Sequence, residues 1–307
     1  MRSKVHYLLC FCLLVLAQTP AFSQEAPQDN QKAEWIRVVS DNGEFSVEVP
    51  AEYSFFADKD GFSASASYDT YALREMRMVN AYAEKTLISF ESYKTNKGAI
   101  EALSRMDVRN GKVSEIKTGD VKIKQIVLQT PASYAVKKYF SSKNHIYVLT
   151  AASRTGETAA MKRFFDSLVF NPAAKTPDPA MQAITFSALK GAPIDFDSAP
   201  DKPLPKSGAV IPPTPDEKDD AKVVIISKPL ASYTDAARRN LEEGIVRLRV
   251  TFSKDGYISK ISTMKTLGHG LLRQCVFAAI RIKFLPKEEN DEPVTVAKTV
   301  EYSFDIY

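Results

Sequence analysis

Histidine, cysteine, serine with lysine, and paired carboxylates are the residue types here that could do chemistry, and each is scarce or poorly spaced for it. His145 and His269 lie outside the leading segment, and either could act as a base or a metal ligand. Neither has a partner at metal-binding spacing, so each is expected as a surface or turn residue. Cys275 is separated from Cys10 and Cys12, which fall in the leading apolar run. Without that run the chain can form no internal disulfide and no cysteine zinc site. Cys275 also shares an apolar helical stripe, which favours a buried thiol over a nucleophile.

Ser262-Thr263-Met264-Lys265 matches S-x-x-K and Lys117-Thr118-Gly119 matches K-T-G, the serine and lysine signals of acyl-transfer enzymes. Ser262 falls in an expected strand, the order of the motifs is reversed, and S-x-x-K recurs at Ser114 and Ser187, so the matches read as chance. Glu242-Glu243 and Glu288-Glu289 are adjacent carboxylates, an arrangement that does not make an acid/base pair and suits solvated loops. The sequence carries no nucleophile elbow and no Walker or dinucleotide glycine loop. No catalytic residue, no metal and no cofactor is expected, and the protein reads as a non-enzyme.

The elements that remain must therefore position binding surfaces. At 307 residues, 44% hydrophobic and 25% charged, the chain suits about two globular domains. Lys plus Arg number 41 against 37 Asp plus Glu, a near-balance that gives no electrostatic argument for nucleic acid. Residues 1–23 read as a signal peptide: Arg2 and Lys4 precede a short apolar core at 7–17, and Ala21 and Ser23 suit a cleavage site. The expected product is exported, and periplasmic in a Gram-negative cell. Were the run left uncleaved, it would anchor the chain in the inner membrane.

Ten of the 17 prolines fall between Pro172 and Pro215. Proline removes a backbone donor and biases its predecessor to extended geometry, so 171–221 reads as a semi-rigid linker. Within it, 183–192 could dock as one short helix. Two folded units are expected on either side, at 33–170 and 222–307.

In the first unit Phe45, Val47 and Val49 alternate with polar residues up to Pro50, a half-buried strand. Further strands are expected at 76–83, 87–93, 121–129, 133–140 and 145–151. Helices are expected at 97–107, with Ile100, Leu103 and Met106 inward, and at 157–168, with Met161, Phe164, Phe165 and Leu168 inward. Thr155 or Gly156 is expected to cap the second. This is an α+β arrangement with an antiparallel sheet. Through Asp41-Asn42-Gly43-Glu44-Phe45-Ser46-Val47-Glu48-Val49-Pro50 and Phe165-Asp166-Ser167-Leu168-Val169-Phe170 it resembles PsbP-like (DUF1795-type) envelope domains. That resemblance implies a binding or assembly module.

In the second unit Val246, Leu248, Val250 and Phe252 share one face, Asp255-Gly256 suits a tight turn, and 257–264 returns as a partner strand. Leu272, Cys275, Val276, Ala279 and Ile282 then recur at helical spacing, with Arg273, Gln274, Arg281 and Lys283 expected outward. From Val294 onward alternation predicts one long closing strand. With a helix at 233–240 leading in, this order is similar to the TonB C-terminal domain. The residues carrying the resemblance are Tyr233-Thr234-Asp235-Ala236-Ala237-Arg238-Arg239, Glu243-Gly244-Ile245-Val246-Arg247-Leu248-Arg249-Val250, Lys254-Asp255-Gly256-Tyr257-Ile258, the helix at 271–283, Phe284-Leu285-Pro286 and Pro293-Val294. Thr234 stands where that family usually has Pro, which should loosen the leading turn, and Ile282 stands where Trp is common.

The resemblance implies capture of a protein or peptide segment, such as that of an outer-membrane TonB-dependent transporter, by β-strand addition. A terminal edge strand leaves N–H and C=O groups that a peptide can pair, while alternate side chains select it. The expected contact residues are Val300, Glu301, Tyr302, Ser303, Phe304 and Asp305. A homodimer through the same strand is the other way to cover it. The expected function is an exported envelope interaction protein linked to outer-membrane transport, the alternative being a TonB-like energy transducer anchored by an uncleaved N-terminal helix.

Overall fold

Strand and helix positions follow the hydrophobic alternation along the chain, and a computed structural model places them. It describes residues 33–170 except 42, 60, 61, 67, 68, 96, 97 and 143, then 183–185, 188–190, 195–197 and 223–306. The signal-peptide expectation and most of the Pro-rich stretch lie outside the described residues.

The chain begins with β1 (Trp35–Val39), β2 (Phe45–Pro50), β3 (Ser54–Asp58), β4 (Phe62–Ala66), β5 (Asp69–Ala83) and β6 (Thr86–Lys94). Helix α1 (Ala99–Asn110) follows, then β7 (Lys112–Thr118), β8 (Val121–Thr130), β9 (Ser133–Ser142), β10 (His145–Ser153), α2 (Ala159–Asp166) and β11 (Val169–Phe170). Short strands β12 (Ala183–Thr185) and β13 (Asp195–Asp197) lead to β14 (Val224–Ser227), α3 (Asp235–Arg239), β15 (Gly244–Phe252) and β16 (Ile258–Lys265). The chain closes with α4 (Leu271–Ile280), β17 (Lys283–Leu285), β18 (Lys287–Glu289), β19 (Glu292–Val294) and β20 (Val296–Phe304).

The largest sheet runs β3-β5-β6-β10-β9-β8-β7, with β4 also on β5, and every printed pairing in it is antiparallel. Its central strands β6 and β10 are buried on both faces. One face carries Phe90, Phe140 and Tyr147, which surround Phe45 of the small sheet β11-β2-β1-β12 and lie under α2. The other carries Met78, Leu87, Tyr93, Tyr139 and Val148, which share one core with α1 and with Val246, Leu248, Phe252 and Phe284. The described residues from Ala33 onward accordingly form one compact unit.

Several local expectations are corrected. Helix α2 starts later than the spacing predicts, because Thr158 caps it by accepting the Met161 N–H at 3.1 Å, not Thr155 or Gly156. In α1 Ile100 and Leu103 pack partly buried against the core as expected, beside buried Ala99, Ser104 and Asp107, while Met106 is exposed. Residues 183–185 form a strand parallel to β1 instead of starting a helix. The closing strand is broken at Thr295, because β19 turns back on β18 while β20 pairs with β15. Helix α4 ends at Ile280, and the next residues are drawn into β17 by pairing with β14.

Candidate functional site

The C-terminal sheet runs β13-β16-β15-β20, with β13 parallel to β16 and the other pairs antiparallel. β15 pairs with β20 from Gly244 opposite Phe304 to Phe252 opposite Val296. Among the described residues β20 has no strand on its other side, so it is the sheet's edge. Val300, Tyr302 and Phe304 point into the core beneath it, and Glu301, Ser303 and Asp305 face solvent. The period of two sorts the six expected contact residues into three that hold the strand in place and three that could meet a partner.

The edge is furnished by its neighbours. Lys228 Nζ donates to the Glu301 carbonyl at 2.8 Å and stands 4.9 Å from the centre of the Tyr302 ring. Arg247 pairs with Glu301 at 2.5 Å across the strand, and the Ile306 N–H donates to Glu243 at 2.8 Å. The Tyr302 hydroxyl is buried with no hydrogen-bond partner among the described residues, and burial raises it well above the ordinary phenol range. Phe304 is held edge-on by Tyr233, whose hydroxyl donates to the Glu242 carbonyl.

Thr234, expected to loosen the turn leading into α3, is instead bonded on both sides. Its Oγ1 accepts the Ala237 N–H at 3.1 Å, capping α3, and donates to the His269 carbonyl at 2.7 Å. A proline could make neither bond, so threonine ties α3 to the 268–270 turn where looseness was expected. Glu242 accepts from the Gly268 N–H and lies 3.0 Å from His269 Nδ1. The Gly268 bond and the His269 ring hold that carboxyl below its ordinary range. His145 starts β10, stacked on Tyr147, far along the chain from His269. Cys275 is wholly buried, and burial pushes its thiol up to about 12. Among the described residues no group of three or more His, Cys, Asp or Glu could hold a metal ion.

A second cluster was not anticipated. Arg281 and Lys283, expected outward, are 9% and 2% exposed because the face carrying them packs on the large sheet. Lys283 Nζ pairs with Glu91 at 2.7 Å and donates to Asn80 Oδ1 at 3.0 Å. Arg281 Nε donates to the Tyr93 hydroxyl at 2.8 Å and lies 3.8 Å from Glu91. Burial alone would raise the Glu91 carboxyl, but Lys283 and Arg281 outweigh it and hold it down at about 2. Burial pulls the Lys283 ammonium down to about 8 in spite of Glu91. Nearby, Asp107 of α1 accepts from Lys137 at 2.7 Å and from Tyr139 at 2.5 Å. The available sequence signal was Glu91 itself, an acid in the middle of an apolar strand.

Other contacts extend this junction. Arg154 donates to the Pro286 carbonyl at 2.6 Å, and Tyr82 donates to Glu288 at 3.2 Å, so that carboxylate is engaged rather than simply solvated. Phe277 meets Phe56 with ring centres 6.4 Å apart. Gly256, at φ +80°, brings the β15–β16 hairpin tip so close that an added Cβ would stand 3.0 Å from Tyr82 Cβ.

Fold and edge together define an α+β module in which one side of a helix-backed sheet is left unpaired. Residues 229–306 match the family described as Gram-negative bacterial TonB protein C-terminal, and this segment is a TonB C-terminal domain. No curated protein matches the chain. Among solved structures, a protein from Bacteroides thetaiotaomicron VPI-5482 is similar at 14% identity over 44% of this chain and 48% of its own, with a TM-score of 0.27. The chain thus spans about half the length of that protein. No helix among the described residues is long and apolar enough to cross a membrane.

Proposed function

We propose that this is a non-catalytic protein of the Gram-negative envelope whose TonB-type domain binds an extended segment of a partner by strand addition to β20. The observation that carries this reading is the position of β20 at the sheet edge within the matched segment. Main-chain pairing supplies affinity in such contacts and alternate side chains supply selectivity. Glu301, Ser303 and Asp305 present the selective face. The partner that fits is the periplasmic segment of an outer-membrane transporter. Export by cleavage after residue 23, a PsbP-like module at 33–170 and a linker at 171–221 complete the proposed organisation, with β12 and β13 as the points where the linker docks.

The test keeps the full chain, since the TonB-type domain shares its core with the large sheet. A photo-crosslinking residue at Ser303, on the outward face of β20, should trap an outer-membrane transporter in living cells. The same residue at Lys117, on the exposed strand β7, should not. Recovery of a homodimer from Ser303 would instead assign the edge to self-association, and capture of no protein there would defeat strand addition.

A further inference from the structure

An unpaired edge strand is a template for another extended chain, a second copy of itself included, unless something stands on it. Which groups β20 leaves open follows from alternation. Ser253, the residue after β15, gives its N–H to the Tyr257 carbonyl on the β16 side at 2.9 Å. Successive residues of a strand turn their main-chain groups to opposite neighbours, so Val246 and Leu248 turn theirs to β20. Their partners Tyr302 and Val300 spend N–H and C=O groups on β15, while Glu301 and Ser303 turn theirs outward. The Ile306 N–H, directed to Glu243 on the β15 side, has the parity this requires.

The Glu301 carbonyl on that open side is taken. Lys228 Nζ donates to it at 2.8 Å and stands 4.9 Å from the centre of the Tyr302 ring, which braces the ammonium against the edge. Its surroundings present the side chain there. Ser227 closes the pairing of β14 with β17 opposite Lys283, and Lys137 Nζ reaches the Ser227 hydroxyl at 3.2 Å. Pro229 follows and biases Lys228 to extended backbone. Lys228 itself is exposed, so its ammonium can swing off the carbonyl into water when another strand arrives.

We propose that Lys228 selects what pairs with β20: it withholds the edge from a second copy of this chain and yields it to a different partner. Two β20 strands related by a two-fold axis repeat every contact, so each copy brings its own Lys228 to the shared strand pair. Both ammonium groups must then leave their carbonyls for an interface that already holds a like charge, which is costly. A strand of another protein meets one Lys228 and can offer the displaced ammonium a carbonyl or a carboxylate. The inference rests on the open edge of the strand-addition reading and not on which partner fills it.

Sedimentation equilibrium of the purified full chain compares the parent with three variants. Lys228→Met removes the charge and keeps an apolar stem on Tyr302, Lys228→Gln removes the charge and stays polar, and Lys228→Arg keeps the charge. All should give the circular dichroism of the parent, since the residue is exposed. Parent and Lys228→Arg are expected to remain monomers. Lys228→Met and Lys228→Gln should self-associate about tenfold or more tightly, and a photo-crosslinking residue at Ser303 should join their two copies. Monomeric Met and Gln variants would overturn the proposal, as would self-association of Lys228→Met alone, which would mark a greasy surface instead of a lost charge. So would a dimeric parent or Lys228→Arg, or a dimer that Ser303 does not join. Failure of Ser303 to trap any transporter in cells would defeat the partner reading separately, because these measurements need no partner.

Discussion

On the inner side of the TonB-type domain Lys283 and Glu91 meet at 2.7 Å with 2% and 5% of their side chains exposed, whereas on its outer side Arg247 and Glu301 meet at 2.5 Å with 46% of each exposed. The distances are alike and the consequences are not. Water screens the outer pair, so it adds little and can be rearranged when another chain arrives. The inner pair has given up its hydration, so each member depends on the other and on the surrounding donors. Burial thus decides which charges join the domain to the large sheet and which are left for partners.

The sharpest way to break this comparison is Glu91→Gln, which leaves Lys283 and Arg281 buried without their carboxylate. Urea unfolding should show a loss of about 3–5 kcal/mol. A loss near zero would place the junction's strength in the apolar contacts instead. Acid does the same more gently. Glu91 at about 2 lies below its ordinary 4.5, so the folded chain holds fewer protons than the unfolded one between those values. Its contribution is fully present above about 4.5 and is lost as pH falls through about 2, and unfolding curves of Glu91→Gln should lack that part of the acid dependence.

Gly256→Ala tests the hairpin tip, where a Cβ meets Tyr82 and the backbone is left-handed. The expected loss is about 1–2 kcal/mol from backbone strain alone, with crowding added. The same change at Gly43, also left-handed but with nothing within 4 Å of an added Cβ, should cost only the backbone part. Thermal unfolding of the two side by side isolates the docking contact. The smallest effect is expected for Glu301→Gln, under about 0.5 kcal/mol, because the pair it breaks is half exposed. A larger loss would mean that the outer side is as structural as the inner one.

Much of this arrangement was legible in the sequence, for a physical reason. Alternation at Val246, Leu248, Val250 and Phe252 reports burial of one sheet face, and all four are buried. The β15–β16 hairpin and the strands β2, β6, β8, β9 and β10 came from the same signal. Burial on a second face leaves no such mark on a charged residue. Arg281 and Lys283 look like the solvated side of a helix until Glu91, nearly two hundred positions away, is placed against them. The hydroxyl of Thr234 was misread for a related cause, since its value lies in bonds to Ala237 and His269 that spacing alone does not show. The edge position of β20 required knowing where β13 lands.

Cys275 gives the molecule an internal clock. Its sulfur is sealed between α4 and the sheet, and its thiol is pushed up to about 12, so a maleimide in neutral solution finds almost no thiolate to attack. Alkylation of a chain starting at residue 33, where Cys275 is the sole cysteine, therefore proceeds at the rate at which this helix lifts away. Timed labelling would read how often the inner side comes apart, without any engineered probe.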